Sequence, residues 1–276
     1  MNTIILSQWY GRIGNNIIQI LNCIIYGIEN NYNRVIFPQH YIFNTTEIIF
    51  DNKIYEIKKN LETMSIDEKT TIEQNFYTMA INNRLNYDNH NIKEIFQKFI
   101  QPVITNYINY NYNTNYDLTL YFRGGDIYNK PYNNEYVQPP LNLYLDIINK
   151  ENISNINLIT EELNNPVALY INYLLVNKWK KNNIFIDISI LINSKKIILG
   201  YSVFCIFILL LNNNIKYIYV ADYIYDTFKE NWKIDLKKIL NKNQELIIIK
   251  LNPDYIKIGS LNLTNNNTDH MVNSCS

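Results

Sequence analysis

The chain has 276 residues, in which 25 Lys and Arg balance 25 Asp and Glu. That length suits one large or two small domains, and 47% hydrophobic with 14% aromatic residues excludes an intrinsically disordered chain. Zero formal net charge argues against a protein that grips nucleic acid through its phosphates. Three scattered cysteines, Cys23, Cys205 and Cys275, make neither a disulfide framework nor a metal-ligand cluster. They fit a reducing compartment, so the expected location is the cytoplasm, the host's if the gene is viral.

Asn, Ile and Tyr are abundant, whereas Ala, Gly and Pro are scarce. These are residues of AT-rich codons, as in a protist or a large DNA virus. Runs such as Asn212-Asn213-Asn214 are accordingly read as drift, and Gly, Arg, Pro and Trp as the informative choices. Met1 to Ser7 does not have the basic start and long apolar stretch of a signal peptide. The longest apolar run, Ile197 to Leu211, is broken by Gly200, Tyr201 and Ser202 and is too short to span a bilayer.

In chain order, Thr3 to Leu6 reads as a strand, Gly11 to Gly14 as a loop, and Asn15 to Tyr26 as a mostly buried helix. Arg34 to Phe37 is a second strand, closed by Pro38, and the βαβ unit implies a parallel sheet. The stretch from Asn44 to Asn91 has no clear period. Ile92 to Ile100 reads as a helix ending before Pro102. Asn106 to Asp117, rich in Asn and Tyr, reads as a linker between two domains.

The second half opens with a strand over Leu118 to Phe122 and a helix over Leu141 to Asn149. A strand over Ile156 to Thr160 precedes a helix that Asn165 caps and Pro166 begins, running to about Trp179. Asp187 to Ser194 is a short helix, Lys196 to Leu199 a strand, Val203 to Leu211 a helix, and Tyr217 to Val220 and Leu246 to Leu251 strands. The last fifteen or so residues read as a closing helix. This β/α alternation is the pattern of a doubly wound sheet.

Four loops carry candidate chemistry. Gly11-Arg12-Ile13-Gly14-Asn15 follows a strand and opens a helix, where backbone N–H groups favour anions; the bland reading is a tight turn. Arg123-Gly124-Gly125-Asp126 lies at the carboxyl end of a strand, where open α/β sheets bind ligands. Arg123 there suits a diphosphate, and the bland reading is an Arg123–Asp126 salt bridge. Gly200-Tyr201-Ser202 holds either a phosphate or a simple helix cap. Glu161-Glu162 suits ribose hydroxyls, a base, or plain solvation. His40, His90 and His270 are isolated and read as surface or core histidines.

The ordered set resembles the alpha-1,2-fucosyltransferase-like glycosyltransferases. Gly11 to Gln19 is similar to that family's G-x-x-G-N-Q-x-x-Q opening, and Arg34 to Pro38 to the strand that follows. Tyr121 to Asp126, Y-F-R-G-G-D, resembles the H-x-R-R-G-D motif, with Tyr121 at its histidine and Gly124 at its second arginine. Val137 to Leu145 resembles a P-P-L-x-x-Y segment, Leu158 to Pro166 a strand ending in an acidic pair, Ile190 to Leu211 the late helix–strand–turn motif, and Pro253 to Met271 the closing segment.

The resemblance implies an α/β, GT-B-like fold: an acceptor-side Rossmann-type half over 1–110 and a nucleotide-sugar-binding half over 118–276, facing across a cleft. It implies an inverting transfer of fucose or a related deoxysugar from a nucleotide diphosphate, by default GDP-fucose, to a glycan hydroxyl. No metal or other cofactor is expected, and no D-x-D occurs. Arg123 and Asp126 become the candidate catalytic residues. Gly11, Arg12, Gly14, Asn15, Gln19, Tyr121, Gly125, Glu161, Glu162, Gly200, Tyr201 and Ser202 become the donor-binding set. A fold relative that binds nucleotide or glycan without turnover is the alternative.

Overall fold

The structure, a computed structural model, describes residues 2–50, 71–73, 76–77, 85, 87–125, 138–175 and 179–251. The chain divides into two compact units, Met1–Asn106 with Asn231–Ile234, and Tyr107–Glu230 with Asp235–Ser276.

In the first unit, β1 (Thr3–Ile5) leads through α1 (Ile13–Glu29) to β2 (Arg34–Ile36), followed by β3 (Glu47–Ile49), β4 (Thr71–Glu73) and α2 (Ile92–Ile95). The sheet order is β3-β2-β1-β4, with β1 parallel to β2 and β4 and β3 antiparallel on the edge. Ile17, Ile18, Ile20, Leu21, Ile24 and Ile25 are all buried, so α1 is lined by core on most sides. It stops at Asn30, and Asn31 adopts the left-handed conformation that usually calls for glycine. After α2 the chain continues as a π-type turn over Phe96–Ile100 and a 3-10 turn over Gln101–Val103. The stretch without a readable period holds β3, β4 and core residues Phe50, Phe76 and Tyr87. His90 is a core histidine, its Nε2 3.0 Å from Glu29 Oε1.

The second unit is built on β5 (Leu118–Tyr121), β6 (Ile156–Ile159), β7 (Lys196–Ile198), β8 (Tyr217–Ala221) and β9 (Glu245–Ile249). All four pairings are parallel, in the order β6-β5-β7-β8-β9. The crossovers are α3 (Leu141–Lys150), α4 (Pro166–Leu174) with α5 (Ile184–Asn193), α6 (Val203–Leu211), and α7 (Asp222–Glu230) with α8 (Leu236–Ile239). This mixed α/β unit, with its all-parallel sheet flanked by helices, is compatible with a Rossmann-like fold. Every residue of β5 is buried, as expected of a strand with neighbours on both sides. The expected closing helix lies outside the described residues.

Three local expectations need correction. The division between the units falls after Asn106, where the expected linker begins, but residues 107–117 belong to the second unit rather than standing between the two: Asn109 N donates to Ser189 Oγ at 2.8 Å, Thr114 Oγ1 to Asn193 O at 3.1 Å, and Asp117 N to Asn155 O at 2.8 Å. They lie along α5 as part of the second unit. Asn212 is not drift but a fully buried clamp. Its Oδ1 accepts from Asn214 N and Ile215 N at 2.6 and 2.7 Å, and its Nδ2 donates to Ile192 O. The helix α5 starts at Ile184 rather than at Asp187, because Asn183 Oδ1 accepts from Ile186 N at 3.0 Å and so caps it.

Asp187 therefore sits inside the first turn of α5, half-buried, with Asn182 Nδ2 donating to it at 2.9 Å. Burial pushes its carboxyl up to about 6, against the smaller opposing pull of Asn182. The folded state favours the protonated form, so this group's contribution to stability is present at low pH and is lost as pH rises through about 6. Asp187→Asn, which keeps the acceptor and does not titrate, is expected to melt higher than the parent near neutral pH. That advantage should vanish below about pH 4 in paired thermal melts.

Candidate functional site

The strand order of the second unit reverses direction at β5: β6 lies on one side of it and β7 on the other. Open parallel sheets bind ligands in the crevice outside the carboxyl ends of the strands at such a point. Three loops leave there: 122–125 after β5, 160–165 after β6 and 199–202 after β7. They bring Tyr121, Arg123, Gly125, Glu161, Glu162, Gly200, Tyr201 and Ser202 to one end of one sheet. Asp126 lies outside the described residues.

The glycines in these loops are required by packing between the loops. A Cβ on Gly200 would stand 2.7 Å from Tyr121 O and 3.4 Å from Arg123 N, so the loop after β7 rests directly on the main chain leaving β5. A Cβ on Gly124 would meet Thr160 Oγ1 at 2.6 Å and the main-chain O and N of Glu162 at 2.8 and 3.2 Å. Gly125 has φ +73°, and its missing Cβ would fall 2.7 Å from the Glu161 carboxylate. Backbone meets backbone in the first two cases, so neither position has a soft neighbour to displace.

Two consecutive asparagines bridge the loops after β5 and β6. Asn164 Nδ2 donates to Gly125 O and Asn164 Oδ1 accepts from Gly125 N, both at 2.9 Å. Asn165 is fully buried; its Nδ2 donates to Arg123 O at 2.9 Å and to Gln138 Oε1 at 2.6 Å. Its Oδ1 accepts from Val167 N and Ala168 N, capping α4. Gln138 in turn donates to Tyr144 Oη at 2.9 Å, and Tyr144 packs its ring against Phe122. The Gly125 N–H is thus occupied within the protein and is not available to a phosphate. The cationic group the loop offers is the Arg123 guanidinium, on a half-buried side chain.

Tyr121 is 9% exposed, with its ring against Phe204 at 5.4 Å. Burial, above all, raises its phenol beyond the usual tyrosine range, while the nearby Arg123 charge and a hydrogen bond with Ser202 pull the other way. It stays neutral at any physiological pH and does not replace an imidazole as a base. Ser202 also caps α6, its Oγ accepting from Phe204 N at 3.2 Å. Cys205 is buried, donates its S–H to Gly200 O at 3.2 Å, and has its thiol raised by burial. It is a packing residue rather than a nucleophile.

The first unit carries the remaining candidates at the carboxyl end of β1. Gly11, at φ +70°, and Arg12 are exposed, and Asn15 folds its amide back over Gly11. Gly14 is buried in the first turn of α1. Gln19 is fully buried, its Oε1 accepting from Tyr10 N at 2.9 Å and its Nε2 donating to Gln8 O at 3.4 Å. Asn16 Nδ2 donates to Tyr10 O at 3.0 Å. Gln19 thus acts on the loop from beneath: together with Asn16 it fixes the loop's path, and the groups the loop presents outward are those of Gly11 and Arg12.

Neither a protein family, a curated protein sequence nor a solved structure matches this chain. Among the described residues, no cluster of three or more His, Cys, Asp or Glu is arranged to hold a metal ion, and no helix is long and apolar enough to cross a membrane. The residues that sequence reasoning missed are Asn164, Asn165 in its bridging role, and Gln138. Their partners lie 27 to 42 positions away, beyond any local pattern.

The contacts at Gly124 make a sharp prediction. Gly124→Arg, which recreates the double arginine of the resembled motif, is expected to destabilise the protein by about 1–3 kcal/mol through overpacking. Urea unfolding checks it, and an unchanged midpoint would show that the loops yield freely.

Proposed function

We propose that the chain is an inverting glycosyltransferase of GT-B type, moving a sugar from a nucleoside diphosphate to a glycan hydroxyl. In this reading the second unit holds the donor and the first serves the acceptor. The single observation that carries it is Arg123, placed by β5 at the reversal point of an all-parallel sheet, opposite the loop that opens α6. Donors aimed at a departing diphosphate stabilise the negative charge that grows on it as the sugar leaves with oxocarbenium character. Arg123 supplies that charge, and the amino end of α6 adds partial positive charge on the same side of the sheet. The order of motifs resembling the fucosyltransferase-like enzymes supports the same reading and makes GDP-fucose the first donor to test. Asp126, Glu161 and Glu162 are the carboxylates from which a base for the acceptor hydroxyl would be drawn.

One observation favours a second reading, a protein that binds nucleotide or glycan without turnover. Tyr121 stands where the resembled motif has histidine and is locked by Phe204 and Ser202, and Gly124 has no room for the second arginine. Turnover of GDP-fucose with a glycan acceptor separates the two readings.

Arg123→Ala is expected to leave the fold intact and weaken GDP binding some thirty- to a thousandfold, the loss of about 2–4 kcal/mol of charge-assisted contact. Lysine should rescue poorly, because it lacks the planar fork. Titration calorimetry together with a melting curve checks this: lower melting with unchanged affinity would assign Arg123 a structural role. Binding should also survive excess EDTA.

A further inference from the structure

We propose that Asn164 is a positioning residue for Arg123, setting the affinity of the donor site through the main chain of the loop after β5. The inference rests on the nucleotide-diphosphate reading of that site. Arg123 and Gly125 flank a residue without a side chain, and each is held by one asparagine of the loop after β6. Asn165 takes the Arg123 carbonyl, and Asn164 takes both main-chain groups of Gly125.

The two asparagines differ in what else they do. Asn165 is fully buried, caps α4 and binds Gln138, so its loss strikes the core as well as the loop. Asn164 is exposed; among the described residues its side chain bonds both main-chain groups of Gly125 and, at 3.4 Å, donates to Glu162 Oε2. It acts as a one-residue strand pairing, with the side-chain amide reproducing the donor and acceptor of a backbone unit. A glycine at φ +73° has wide conformational freedom when unheld. The reciprocal pair removes that freedom two positions from the guanidinium that is to meet a diphosphate. Preorganisation of this kind raises affinity by lowering the ordering that binding would otherwise require.

The test uses the full chain with GDP and UDP as probes, by titration calorimetry and melting curves on the same samples. Asn164→Ala is expected to weaken binding of whichever diphosphate the parent binds by about tenfold, with melting close to the parent's. Asn164→Asp adds a readout that a merely structural role would not move. Near pH 7.5 (about neutral), its carboxylate still accepts from Gly125 N–H but opposes the Gly125 carbonyl and the Glu162 carboxylate, to which Asn164 Nδ2 donates at 3.4 Å. Once protonated, it donates again and mimics the amide. Its affinity relative to the parent at the same pH should therefore be low near neutrality and recover as the pH falls to about 4, where an aspartate protonates.

Affinity of Asn164→Ala within about twofold of the parent's overturns the inference and leaves the donor site standing. So does an Asn164→Asp protein that matches Asn164→Ala at both pH values. A melting temperature that falls while affinity per folded molecule holds assigns Asn164 to stability alone and also overturns it. If the parent binds neither GDP nor UDP, the donor-site reading fails and this inference with it.

Discussion

The second unit depends on main chain meeting main chain at the carboxyl ends of β5, β6 and β7. Gly200 rests on the carbonyl of Tyr121, and Gly124 rests on the peptide of Glu162, at separations that admit no Cβ. This constraint brings the loop after β7 against the strand it neighbours in the sheet, and the loop after β6 against the loop after β5. Everything proposed for the site follows from that proximity. Arg123 leaves a loop that is contacted from both sides, and backbone packing sets the path of its main chain. Glycine is rare in this chain, only 7 of 276 residues, and three of the seven serve this one junction.

Hydrogen bonding then fixes what packing brings together. Backbone groups in loops must find partners when they are taken from water, and here asparagine provides them. Asn165 satisfies the carbonyl of Arg123, Asn164 both groups of Gly125, and Asn212 a helix end and a turn. In the first unit Asn22 plays the same part, donating to Phe76 O at 2.6 Å and accepting from the Tyr87 hydroxyl. Asparagine, abundant along this chain, is put to structural use here, at the buried Asn22, Asn165 and Asn212 as at the exposed Asn164, with both ends of the amide engaged.

Much of the framework was legible because apolar periodicity is strong. The buried isoleucines of α1, the fully apolar α6 and the strands β5 to β8 announce themselves by pattern, as does the Asn165–Pro166 start of α4. The reading failed where the signal is short or polar. The strands β3 and β4 are three residues each inside an Asn- and Thr-rich stretch. The helix α7 follows β8 without a loop, so no turn residue announces its buried Ile224, Tyr225 and Phe228. Its acidic first residue, Asp222, was the available cue. At the site, the positions of Arg123 and Gly200 were readable from strand–loop–helix order. The reason for the glycines was not, since a loop-on-loop contact has no local signature. The asparagine bridges were hidden by the abundance of their own residue type.

The account stands on a diphosphate seated at the reversal point of the second sheet. A crystal structure of the chain with GDP tests it most directly. The account predicts phosphate density within hydrogen-bond reach of the Arg123 guanidinium, beside the loop over Gly200 to Ser202, with Gly125 still bridged to Asn164. Nucleotide density at the ends of β8 and β9, or phosphates placed away from Arg123, would contradict it.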